Sequence, residues 1–102
     1  MLFTEEKLKG VPALYSQDGK GDKAVVHLVA SLGANNEYCW LLTEYSEEDE
    51  VFFGYVCLND PQCAELGYVS LYELEKLGKE YPVKVEVVNM ELKDAKAKYI
   101  HK

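Results

Sequence analysis

Five carboxylates fall within seven residues in the run Glu44-Tyr45-Ser46-Glu47-Glu48-Asp49-Glu50. Like charges this close repel one another, so the run belongs in water. It has two readings: a solvated turn that aids solubility, or an electrostatic contact surface. Asp60 and Glu65 follow with no lysine between them, which would extend the same field over one end of a sheet. Tyr45, Tyr55, Tyr68 and Tyr72 add flat amphipathic side chains of the kind enriched at interface hot spots. Tyrosines equally pack cores with their hydroxyls at the edge. The candidate partner-binding set is Glu44, Tyr45, Glu47, Glu48, Asp49, Glu50, Asp60 and Glu65.

Other arrangements fit their chemistry less well. Gly19-Lys20-Gly21-Asp22 has the glycines and lysine of a phosphate loop, but it precedes a strand and ends in an acid that repels phosphate. A calcium loop starting at Asp18 would place Val29 where a bidentate Glu is needed. Cys57 and Cys63, joined by Cys39 or His27, offer thiolate and imidazole donors for zinc without knuckle spacing or a second pair. Nucleophilic catalysis needs Ser or Cys beside an oriented His. His101 sits at the chain end, and His27 lies in an apolar strand. Glu44 with Glu65 or Glu73 would suit acid-base work if the fold brought them face to face. No catalytic residue, metal ligand or cofactor is expected.

The charge distribution narrows the partner. All eleven basic residues are Lys and none is Arg, which argues against specific DNA reading and arginine-finger chemistry. Residues 1–23 have no net charge, 24–75 carry −10 with no Lys, and 76–102 carry +3. The middle half should repel nucleic acid and anionic lipid and attract a basic protein surface. The oligomeric state is left open. The amino terminus has no basic region followed by an apolar run, and no stretch approaches the roughly 20 apolar residues of a membrane span. A cytoplasmic protein with free thiols is the expectation, with Cys39 and Cys57 buried.

The elements that must position these residues come from local patterns. At 102 residues, with 48% apolar and 12% aromatic side chains, the chain is one domain. Residues 1–23 read as a short helix, capped by Thr4 and stopped at Gly10, then a loop through Ser16 to Asp22. Residues 24–58 read as a three-stranded antiparallel meander, turning at Gly33-Ala34-Asn35-Asn36 and at 46–50. Leu66 to Val69 reads as a brief extension or edge strand. Ser70 and Glu73 have capping-box spacing and open a helix over 70–78, with Leu71, Leu74 and Leu77 on its apolar face and Gly78 as its stop. A strand over 83–88 and a Lys-rich helix over 90–100, capped by Asn89, complete the chain. The fold class is α+β: an antiparallel sheet of about four strands, the meander plus a late strand, with short helices packed on one face.

Leu14-Tyr15-Ser16-Gln17-Asp18-Gly19-Lys20-Gly21-Asp22, Thr43-Glu44-Tyr45, Phe52-Phe53-Gly54-Tyr55-Val56 and Ala64-Glu65-Leu66-Gly67-Tyr68-Val69-Ser70-Leu71 together resemble a family of short bacterial and phage proteins classed as a domain of unknown function. The resemblance spans residues 11–77. It implies an accessory role on mobile genetic elements and carries over no catalytic residue. The leading expectation is a non-catalytic module that binds a basic, nucleic-acid-handling protein through an acidic surface, concretely as an inhibitor of a host defence nuclease. The alternative is a small enzyme or ligand binder with an aromatic, carboxylate-containing pocket lined by Trp40, Tyr38 and Tyr55.

Overall fold

In the middle of the sequence, apolar residues occupy both parities of the strands, so both faces of the sheet must be covered. The computed structural model describes residues 2–34 and 37–100; Asn35, Asn36 and His101 lie outside the described residues. Strands β1 (Val25–Leu32), β2 (Tyr38–Ser46), β3 (Val51–Leu58), β4 (Glu65–Ser70) and β5 (Lys84–Glu91) form one sheet in the order β4-β3-β2-β1-β5. Every neighbouring pair is antiparallel. The meander is as expected, but the sheet has five strands rather than about four, because the short segment before Ser70 pairs with β3 over its whole length.

The helices also depart from the expected single layer. Helix α1 (Glu5–Lys9) and helix α2 (Leu71–Glu80) cover one face, where Leu28, Ala30, Trp40, Leu42 and Phe52 meet Phe3, Leu71 and Leu74. Helix α3 (Leu92–Tyr99) covers the other, setting Leu92, Ala95 and Tyr99 on Val29, Cys39, Leu41 and Cys57. Three buried side chains in eight residues suffice for α3 because each lands on a strand buried from both sides.

Two of the three expected N-caps form. Thr4 accepts the Lys7 N–H at 3.3 Å, and Ser70 accepts the Glu73 N–H at 3.3 Å. Gly78 does not stop α2. The helix runs on to Glu80, and a side chain at 78 would meet Leu2, so this glycine makes room for the amino-terminal segment. Asn89 does not cap α3 either. Strand β5 continues through it to Glu91, which occupies the cap position.

Two register shifts shape the sheet. Between Val26 and Leu28 the pairing with β5 slips, and Val26 joins the α3-side cluster while Leu28 joins the other. Between Leu42 and Glu44 the pairing with β3 slips by the extra residue Thr43. Its hydroxyl donates to the Phe53 carbonyl at 3.0 Å. In an unbroken strand Glu44 would share the face of Leu42. The bulge instead gives that face to Tyr45, whose ring lies 4.7 Å from Phe52, and turns Glu44 to the opposite side.

Two outcomes follow. A Cβ on Gly54 would run into the Leu41 carbonyl oxygen, whereas one on Gly67 would meet nothing within 4 Å. In urea denaturation, Gly54→Ala should lose about 1–3 kcal/mol, and Gly67→Ala should stay within about 0.5 kcal/mol. Burial holds the partly buried His27 imidazole below its ordinary value of 6.5. The unfolded chain therefore binds a proton more readily than the folded one, so this contribution is present above 6.5 and is lost as pH falls from there through the lower folded value. His27→Gln should flatten the decline in urea midpoint between about pH 7.5 and 5.5.

Candidate functional site

Glu44 is 3% exposed and makes no ion pair among the described residues. Its carboxylate is held by the loop before β1. The Tyr15 N–H donates to Oε1 and the Gln17 N–H to Oε2, each at 2.8 Å. Gln17 completes the attachment through its own side chain. Its Oε1 accepts the Val25 N–H at 2.6 Å, and its Nε2 donates to the Thr43 carbonyl at 2.8 Å and the Val25 carbonyl at 3.0 Å. The Tyr45 N–H reaches the Pro12 carbonyl at 2.9 Å. One bulge, one carboxylate and one amide thus fasten the loop to the sheet.

The loop, α1 and the β2–β3 hairpin together enclose a groove of about 720 Å³. Leu8, Val11, Leu14 and Tyr45 line it with apolar side chains, Glu5 and Lys9 line it from α1, and Glu47, Glu48 and Asp49 line it from the hairpin. The hairpin tip is itself ordered. Ser46 Oγ accepts the Asp49 N–H at 3.1 Å, and the Glu50 carbonyl accepts the Leu71 N–H at 3.0 Å. Burial, with Glu50 and Glu47 adding to it, raises the Tyr45 hydroxyl above its usual pKa, so it stays a neutral donor. Glu47, Glu48 and Asp49 make no ion pair among the described residues and are exposed.

The expected set therefore divides. Glu47, Glu48 and Asp49 share the groove with Tyr45, which is mainly a core ring. Glu50 lies beside α2, lining a smaller cavity of about 390 Å³ with Leu2, Tyr72 and Lys79. Glu44 is internal. Asp60 and Glu65 lie at the opposite end of β3 from the hairpin, since Glu65 pairs with Val56 while Val51 pairs with Ser70. The aromatic pocket does not assemble from Trp40, Tyr38 and Tyr55. Trp40 packs in the α1–α2 core and Tyr55 against the α3 side. Nor do Glu44, Glu65 and Glu73 converge: Glu44 pairs with Phe53, Glu65 with Val56, and Glu73 is exposed on α2.

The thiols are poorly placed for chemistry. Cys39 and Cys57 face each other across β2 and β3, and burial pushes the Cys39 thiol up to about 12. Cys63 is exposed, but its hydrogen bond to Asp60 raises its pKa. Among the described residues, no three His, Cys, Asp or Glu side chains gather where they could hold a metal ion, and no helix is long and apolar enough to cross a membrane. Gln17, Glu5 and Lys9 were not singled out by the sequence. The first is a long amide in a run of turn formers, and the other two read as ordinary helix-dipole charges.

Replacing one Glu44 oxygen by an amide nitrogen would set a donor against a backbone donor. Glu44→Gln should cost about 2–3 kcal/mol in urea denaturation, and hydrogen exchange should quicken at the Tyr15 and Gln17 amides before the rest of the sheet.

Comparison with curated proteins and with solved structures found no match. The family described as "Protein of unknown function (DUF2958)" matches residues 4–98, which takes in the fastened loop, the groove and all five strands. The match covers nearly the whole chain, and the protein belongs to that family.

Proposed function

We propose that the protein is a non-catalytic accessory module of a mobile genetic element or phage that grips a basic protein surface through the groove between α1 and the β2–β3 hairpin. The observation that supports this is the pairing of carboxylates, Glu5 from α1 with Glu47, Glu48 and Asp49 from the hairpin, with apolar side chains in one concave site. Carboxylates at such a site give orientation and fast association, and the apolar side chains supply area to bury. Proteins that hold phosphate backbones present clustered lysines and arginines to them. The partner we favour is therefore a nucleic-acid-handling protein, with the hairpin carboxylates standing in for phosphates in the channel of a host defence nuclease. Asp60 and Glu65 play no part in this contact.

The groove volume also lies in the range of small-ligand pockets. This favours, as a second reading, an organic cation held over Tyr15 and Tyr45.

A partner captured from host lysate and purified should bind more weakly as NaCl rises from about 50 to 300 mM, and nucleic acid should compete with it. The triple variant Glu47→Gln, Glu48→Gln, Asp49→Asn should weaken it at least about tenfold by calorimetry. Affinity indifferent to both salt and the triple variant would sink the proposal. Saturable binding of an organic amine in the groove, with no protein partner, would favour the second reading.

A further inference from the structure

Where α3 ends its cover, the strand register lines up two cross-strand rows on the same face. Glu44, Phe53 and Tyr68 form one, and Leu41, Tyr55 and Leu66 the next. The second row already receives a cation. Lys96 lies with Nζ 4.3 Å from the centre of the Tyr55 ring while pairing with Asp22 at 2.8 Å. The first row has the same ingredients, and among the described residues no cation lies over it. Phe53 meets Tyr68 edge-on, with ring centres 5.3 Å apart, and the Tyr68 hydroxyl donates to that of Tyr15 at 3.4 Å.

Tyr15 and Tyr68 are 63% and 58% exposed, so burial does not explain their placement. Tyr15 has φ of +70°, a left-handed conformation that is costly for a bulky side chain and is kept only where the surroundings impose it. Its N–H is held by Glu44 at 2.8 Å. Asp18 and Glu44 make the surroundings negative. The hydrogen bond to Tyr15 chiefly, with these two carboxylates adding to it, raises the Tyr68 hydroxyl pKa. Tyr15 also lines the acidic groove, so the ring row and the groove are continuous.

We infer that Tyr15, Phe53 and Tyr68, beside Asp18, form a receptor for an arginine side chain of the basic partner protein. A planar guanidinium stacks on rings and can meet a carboxylate through its edge, which a lysine ammonium does not do as well. The chain itself contains no arginine, so a second copy cannot supply this group. The inference rests on the reading of the protein as a binder of a basic partner and names the side chain that partner offers.

The test is an NMR titration of the full chain with hexa-arginine and, separately, hexa-lysine peptides. Ring resonances of Tyr15, Phe53 and Tyr68 should shift with saturation, and hexa-arginine should bind about threefold tighter or better. Tyr68→Leu should weaken hexa-arginine about threefold while Tyr72→Ala, on the far cavity beside α2, leaves it unchanged. Shifts confined to the Glu47–Asp49 amides would overturn this inference and leave the groove proposal standing. Equal affinity for the two peptides would overturn the arginine assignment. If neither peptide bound anywhere, both proposals would fall.

Discussion

A buried carboxylate with no cationic partner among the described residues governs how the amino-terminal quarter of the chain meets the sheet. Taking such a group out of water costs several kcal/mol unless hydrogen bonds replace the lost hydration. At Glu44 they come from two backbone N–H groups of a loop that has no regular structure of its own to satisfy them. Each side thus meets the other's need. The Thr43 bulge is the geometric precondition, because without it the carboxylate would point into the α1–α2 core. Gln17 repeats the device with an amide, bonding three backbone groups on two strands.

Glu75 applies the same principle at the other end of that segment, accepting the Leu2 N–H at 2.7 Å and the Phe3 N–H at 3.1 Å. Two acids that look in sequence like members of one negative field therefore act as internal clamps on the first 17 residues. The outward-facing charge is correspondingly divided: Glu47, Glu48 and Asp49 sit together on the groove, while the exposed Glu50, Asp60, Glu65 and Glu73 lie away from it. The strand between them sets the division: Asp60 follows Glu50 by ten residues, and β3 carries the chain from the hairpin to the far end of the sheet in that interval.

Elements set by neighbours in the chain could be read directly. Thr4 and Ser70 cap because a short side-chain oxygen reaches the N–H three residues on, and that depends on nothing distant. The meander likewise follows from short turns between alternating strands. What escaped were features decided by contacts between remote segments. Leu92, Ala95 and Tyr99 look too sparse for a buried helix until β1 and β2 are seen to be apolar on both sides. Gly78 resembles a helix stop because only Leu2, 76 residues earlier, reveals it as a packing gap. The direction of Glu44 depends on one extra residue in a pairing register, which no local propensity encodes. The hairpin acids were legible as a charged turn, whereas the lining from α1 was not, since the two are joined only through the loop that Glu44 holds.

The strand order carries a consequence for synthesis. Strand β1 is made first and has β2 as its immediate successor, but its other neighbour, β5, lies beyond the meander, β4 and α2. While the nascent chain is shorter than about residue 91, one side of β1 has no partner strand, and the surface awaiting α3 is bare. A ribosome paused before β5 has emerged would hold a half-finished sheet with an open apolar edge, the form most prone to pairing with the wrong chain. The Lys-rich carboxy-terminal stretch is thus the segment whose arrival ends that exposure.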